Sequence, residues 1–111
     1  MLIDTHCHLG AEQLTPDIEA VLARAWTAGV GHIVVIGESP AAAARALELV
    51  CGERRLSSTA GIHPHEAATW TGETEAWLVE ALRDERVVAV GETGLDYHYD
   101  HAPRTVQHEV F

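Results

Sequence analysis

The chain has 111 residues, 47% of them apolar, which is long enough for one domain with a moderate core. Seven arginines and no lysine stand against 17 acids, and the formal charge of −10 argues against broad attraction to nucleic-acid phosphates unless bound divalent cations invert the sign inside a cleft. Cys7 and Cys51 make no disulfide framework, no secretion signal opens the chain, and no apolar run approaches the ~20 residues that span a bilayer, so a cytoplasmic setting and no membrane partner are expected.

Leu2 and Ile3 open a first strand in the manner of a buried one, and it leads into Asp4-Thr5-His6-Cys7-His8 before the turn signal at Gly10. Alternate side chains of a strand share a face, so Asp4, His6 and His8 point one way, with the Cβ atoms of the two histidines roughly 6 to 7 Å apart. Two neutral imidazoles at that separation can hold one divalent ion or one edge of a two-metal cluster. A solvated polar face is the plainer alternative for these residues alone.

Thr15-Pro16-Asp17 then supplies a cap, a proline for the first helical position and an acid in the first turn. Ile18, Val21, Leu22 and Ala25 follow with helical spacing up to Gly29. Ile33-Val34-Val35-Ile36, bounded by Gly31 and Gly37, reads as a parallel strand covered on both faces. The cycle repeats with a helix from Ser39-Pro40 to about Glu53, a strand from Leu56 to Ile62, a helix from Glu73 to Glu85 that turns Trp77, Leu78, Ala81 and Leu82 inward, and a buried strand Val87–Val90 ending at Gly91-Glu92. The tail from Arg104 reads as the opening of a fourth helix. Alternating strands and helices without an internal linker imply right-handed βαβ units and a parallel α/β sheet. Residues 1–111 are expected to form a single domain, either a small open sheet or the first half of an eight-stranded barrel of about 250 residues. A pattern that stops inside a helix favours the half-barrel.

Active groups in parallel α/β folds collect at the carboxyl ends of the strands. Three of the four strands end in ionisable residues: the first in His6 and His8, the third in His63 and His65, the fourth in Glu92 with Asp96 beyond. Such groups at the exits of apolar strands point to a site, because burying them unpaired costs several kcal/mol. Glu92 shares a face with Val88 and Val90, and His63 shares one with Thr59 and Gly61, small residues that leave room beside it. His32 lies at the wrong end of its strand and is expected to be structural. His98, His101 and His108 are expected on solvated surface, and Trp70 is a candidate cleft wall.

The segments Asp4-Thr5-His6-Cys7-His8-Leu9, Gly61-Ile62-His63-Pro64-His65 and Gly91-Glu92-Thr93-Gly94-Leu95-Asp96-Tyr97 resemble, in order and spacing, the three N-terminal signatures of the TatD-type metal-dependent hydrolases. The resemblance runs from Met1 to Phe111, and Gln107-x-x-x-Phe111 is similar to the start of the helix after the fourth strand in that family. It implies the first four β/α units of a TIM barrel, the N-terminal half of a (β/α)8 fold. It also implies a deoxyribonuclease with 3′-5′ exonuclease-like action on DNA, or activity on a small phosphodiester, using two divalent ions of the Mg, Mn or Zn kind. His6, His8 and Glu92 match the family's metal ligands. His63 matches a histidine that contacts substrate phosphate or assists the chemistry, which makes His63 and Glu92 the catalytic candidates. Asp4, with His65 and Asp96, would orient ligands or touch substrate.

The family's remaining ligands, two histidines and an aspartate from strands five, six and eight, match nothing in the 111 residues. A half-barrel alone would leave its first and fourth strands with unpaired edges, and self-association through them is expected. Two other readings stay open: another amidohydrolase-like metal hydrolase, because His-x-His on a first strand is widely shared, and an inactive half-barrel that binds metal weakly or pairs with another half.

Overall fold

A computed structural model describes residues 1–111. Strands β1 (Leu2–Cys7), β2 (Val30–Val35), β3 (Leu56–Ala60) and β4 (Val87–Val90) alternate with helices α1 (Ile18–Thr27), α2 (Pro40–Cys51), α3 (Gly72–Ala81) and α4 (Arg104–Val110). All neighbouring strands pair in parallel, and the sheet order β1-β2-β3-β4 follows the chain, leaving β1 and β4 as its two edges. This is the alternating α/β architecture that the sequence pattern predicts. No helix is long and apolar enough to cross a membrane.

Local chemistry sets the helix ends. Ser39 Oγ accepts from the Ala42 N–H at 3.2 Å, and Pro40 occupies the first turn of α2. Thr71 and Thr74 cap α3 reciprocally. That helix stops at Ala81, short of the predicted Glu85, because Asp84 turns back to accept the Arg86 N–H at 3.0 Å and so draws the backbone into a turn. Leu82, expected inside, is exposed at the helix end. Thr15-Pro16-Asp17 forms a 3₁₀ turn ahead of α1 instead of its first α-turn, since Thr15 Oγ1 donates back to the Ala11 carbonyl and Asp17 makes no side-chain cap.

The main core lies between the sheet and its helices, with Leu9, Ile33, Val35, Ala46, Val50 and Leu56 buried and the stripe Ile18, Val21, Leu22 and Ala25 of α1 packed on them. A smaller cluster of Ala43, Ala60 and Val87 receives Trp77, Leu78 and Ala81 of α3. Only β3 is buried along its whole length. The expectation of four buried strands therefore needs correction. The helices cover one face of the sheet, and Leu2, Ile3, Val88 and Val90, on the two edge strands, are all more than half exposed. His32 is tied to Ser57 Oγ at 2.9 Å across the β2–β3 pair, a structural role far from the strand exits.

Beyond the last paired residues the chain keeps the strand exits side by side. The Ile36 N–H donates to Cys7 O, Gly61 N–H to Gly37 O, His63 N–H to Glu38 O and Gly91 N–H to Ala60 O, all at 2.9 to 3.0 Å. Gly37 and Gly61 permit this closeness. A Cβ at Gly37 would stand 2.3 Å from the Thr59 carbonyl oxygen, and one at Gly61 would stand 2.6 Å from the Gly91 carbonyl carbon.

Candidate metal centre

Four spaced strand exits can converge only if the sheet curls. Three strand spacings in a flat sheet would separate β1 from β4 by roughly 14 Å, yet His6 Nε2, at the end of β1, lies 3.4 Å from Glu92 Oε2, just past β4. His8, one residue beyond β1, places its Nε2 3.2 Å from that of His6 and 3.9 Å from Glu92 Oε2. The three ligand atoms all lie within 4.8 Å of one another.

That triangle fits one divalent ion. Ligands held roughly 2.0 to 2.2 Å from a metal stand about 3 to 3.6 Å apart in tetrahedral or octahedral geometry, and two of the three separations fall in that range while the third is a few tenths wider. The donor set of two imidazoles and a carboxylate suits Zn²⁺ or Mn²⁺. His8 Nδ1 meets Glu38 Oε2 at 2.9 Å, which fixes the ring and leaves Nε2 free to ligate. The second oxygen of Glu92, Oε1, faces His63 Nε2 at 3.6 Å, so the carboxylate presents one oxygen to the histidine pair and the other to a third imidazole. His6, His8, Glu38, His63, His65, Glu66 and Glu92 line an open cleft with no hydrophobic side chain among them.

His65 and Asp96 form the outer wall. His65 Nε2 contacts Asp96 Oδ2 at 2.6 Å, and its ring lies edge-on to His63 with centroids 4.3 Å apart. Asp96 Oδ1 accepts from the N–H groups of His98 at 2.9 Å and Tyr99 at 3.3 Å. Burial pushes the Asp96 carboxyl upward, but the two N–H groups and the His65 ring outweigh it and hold the group below its ordinary value. Gln107, buried in α4, anchors this wall: its Oε1 accepts the Asp96 N–H at 2.7 Å and its Nε2 donates to the Asp96 and Ala102 carbonyls, each at 2.9 Å.

Of the residues predicted for the site, the structure brings His6, His8, His63, His65 and Glu92 into one cleft and sets Asp96 behind His65. Asp4 is not among the residues that line that cleft. The β1–β2 register breaks after Asp4, and its Oδ1 accepts the His6 backbone N–H at 3.1 Å. Burial and then the Asp4 charge raise the neighbouring Cys7 thiol above its ordinary range, which leaves it a poor nucleophile. The carboxylate that contacts a candidate ligand imidazole is Glu38, at the exit of β2, so all four strands contribute to the cleft rather than three. Glu38 sits at a strand exit like the others, with Gly37 as part of that exit rather than its end. Glu66 also lines the cleft, from the 3₁₀ turn Pro64–Thr69 that follows the third strand exit and is capped by His63 Nδ1 accepting the His65 N–H. Trp70 lies outside the cleft. His101 is exposed as expected but packs against His65, 4.5 Å between centroids, and His108 meets the Tyr97 hydroxyl.

A curled parallel βα sheet that gathers two histidines from its first strand and a carboxylate from its fourth has the architecture of the N-terminal part of a barrel with a candidate metal centre. The chain belongs to the family described as TatD related DNase, whose model matches residues 3–111. It is 44% identical over all 111 residues to an uncharacterized metal-dependent hydrolase of Bacillus subtilis (strain 168), YabD, and covers 44% of that protein. It is 36% identical over 110 residues to the 3′-5′ ssDNA/RNA exonuclease TatD of Enterobacter lignolyticus (strain SCF1), covering 99% of this chain and 42% of that one. The crystal structure of a TatD homologue of Escherichia coli K12, YJJV, superposes with a TM-score of 0.88 at 36% identity over 98% of this chain and 43% of the other. A TatD family hydrolase of Entamoeba histolytica shares the fold with a TM-score of 0.87. The chain thus spans about two fifths of the length of these relatives, and its sheet corresponds to half of a TIM barrel.

Proposed function

We propose that residues 1–111 act as one domain that supplies the β1 to β4 wall of a divalent-metal-dependent phosphodiesterase site, working on DNA as a 3′-5′ exonuclease or on a smaller phosphodiester, in a cytoplasmic setting that keeps Cys7 and Cys51 reduced. The single observation that carries this reading is the Glu92 carboxylate, whose Oε2 closes the triangle with His6 and His8 while Oε1 faces His63. A carboxylate whose two oxygens face different partners would hold a divalent ion beside the histidine pair and keep its other oxygen for a further group in the cleft.

His6, His8 and Glu92 would hold metal, and Glu38 keeps His8 in the tautomer that frees its Nε2. Divalent ions supply Lewis-acid polarisation of the phosphodiester and a nucleophile at neutral pH. The chain's own groups do the rest. His63 Nε2 points toward Glu92 and would donate a hydrogen bond to a phosphate oxygen bound in the cleft. Asp96 holds the His65 ring upright against the edge of His63, fixing the outer wall. The same carboxylate-rich cleft repels a bare phosphate, so substrate binding depends on metal.

The test is cleavage of 3′-labelled single-stranded DNA and of bis(p-nitrophenyl) phosphate with Mg²⁺ or Mn²⁺, beside calorimetric metal binding. Metal-dependent cleavage that disappears in His6→Ala and Glu92→Ala supports the proposal. A second reading rests on the one three-residue ligand group in the structure: the 111-residue chain binds metal without turnover. Binding without cleavage of either substrate selects that reading, and neither binding nor cleavage defeats both.

A further inference from the structure

The loop from Asp96 to His101 holds an exposed aromatic residue in a fixed position. Tyr99 is 65% exposed and contributes little to the core. Its backbone is nevertheless pinned by the Asp96 carboxylate, and the loop's far side is clamped by Arg104, which holds Asp100 at 2.8 to 3.2 Å and donates to the Tyr97 carbonyl at 3.4 Å. The Tyr99 ring lies parallel to that of His101, with 5° between planes and 5.8 Å between centroids, and both rings meet His65 edge-on. His65 in turn touches His63, which faces Glu92. An exposed, ordered π-surface therefore stands two ring contacts from His63.

Charge shows why such a surface matters. Arg55, Arg83, Arg86 and Arg104 are each paired with an acid, Arg45 lines the neighbouring pocket with His8 and Glu38, and no arginine lines the cleft itself. Electrostatic grip on a phosphate backbone is correspondingly weak, whereas stacking of a base on an aromatic ring needs no positive charge and tolerates every base. We propose that Tyr99 and His101 form a stacking platform for an unpaired nucleobase of a single strand whose phosphate lies in the metal cleft. The proposal deepens the nucleic-acid reading above and rests on it.

Fluorescence anisotropy of the full chain with Mn²⁺ tests the platform, using a labelled ten-residue oligothymidylate with cleavage-resistant phosphorothioate linkages and an abasic strand of the same length and linkage. The expected result is roughly tenfold tighter binding of the oligothymidylate, lost in Tyr99→Ala and kept in Tyr99→Phe and Tyr99→Trp, with far-UV circular dichroism confirming that each variant folds. Equal binding of both strands, or unchanged binding by Tyr99→Ala, overturns the platform. Mn²⁺-dependent cleavage of the strands with ordinary phosphodiester linkages is followed in parallel to separate the two proposals. Base-dependent binding without cleavage keeps the platform and removes the phosphodiesterase, while cleavage with no base dependence keeps the enzyme and removes the platform.

Discussion

Gln107→Leu removes the anchor of the outer wall while preserving most of the side-chain volume. Gln107 is 1% exposed and makes three hydrogen bonds of 2.7 to 2.9 Å, all to backbone groups of Asp96 and Ala102. An apolar replacement leaves one N–H and two carbonyls without their partner, and each buried orphan costs about 1 to 3 kcal/mol. Allowing for partial hydration at the loop, the loss is about 3 kcal/mol, or a fall in Tm of about 12 °C or more for a chain of this size. Gln107→Glu is the companion variant: its carboxylate still accepts the Asp96 N–H but turns both donor contacts into repulsion. Thermal and urea unfolding measure the loss, and amide exchange at Asp96 reads it locally. Stability within 0.5 kcal/mol of the parent, with Asp96 protection retained, would refute the assignment of Gln107 as the anchor.

Glu38→Ala removes the carboxylate on His8 Nδ1 and is expected to weaken Mn²⁺ or Zn²⁺ binding about 10- to 100-fold in calorimetry; unchanged affinity would mean the contact does not orient the ligand. Glu53 and Asp84 are held at about 2 by hydrogen bonds from Arg55 and Arg86. Their folded values are depressed, so the stability they add is present above the ordinary carboxylate range near 4 and lost as pH falls toward 2. The expected result is a Tm that drops between pH 4 and 2 and drops less in the Arg55→Gln, Arg86→Gln double variant; identical acid profiles would remove the claim. The unpaired β1 and β4 edges, with Leu2, Ile3, Val88 and Val90 exposed beside them, predict concentration-dependent association of the 111-residue chain in light scattering. A monodisperse monomer with a cooperative melt would contradict it.

The order and parallel pairing of the elements were legible because each strand and helix carries a local signal: the apolar run Ile33–Ile36 between glycines, the Ser39-Pro40 cap, the spacing of Ile18, Val21, Leu22 and Ala25. Burial was less so. Val87–Val90 has the composition of a covered strand, but exposure depends on what packs against the sheet's second face, and sequence periodicity carries no record of that. In the cleft, residues on the strand exits were visible by their position, whereas the roles of Glu38 and Gln107 depend on tertiary contacts, to His8 in one case and across an 11-residue loop in the other. For Asp4, in-phase alternation places it on the face of the imidazoles, while the β1–β2 register breaks after it and its carboxylate accepts the His6 backbone N–H.

The sheet order also sets when the centre can exist. Each strand pairs with the one made just before it, so folding can proceed unit by unit from the N-terminus with mostly local closures. His6 and His8 arrive with the first strand and Glu92 only after the fourth, so no intermediate of three strands holds the full ligand triangle. Under the proposed metal role, affinity measured during refolding acts as a clock for the last docking event, reporting completion of the curl rather than the growth of secondary structure.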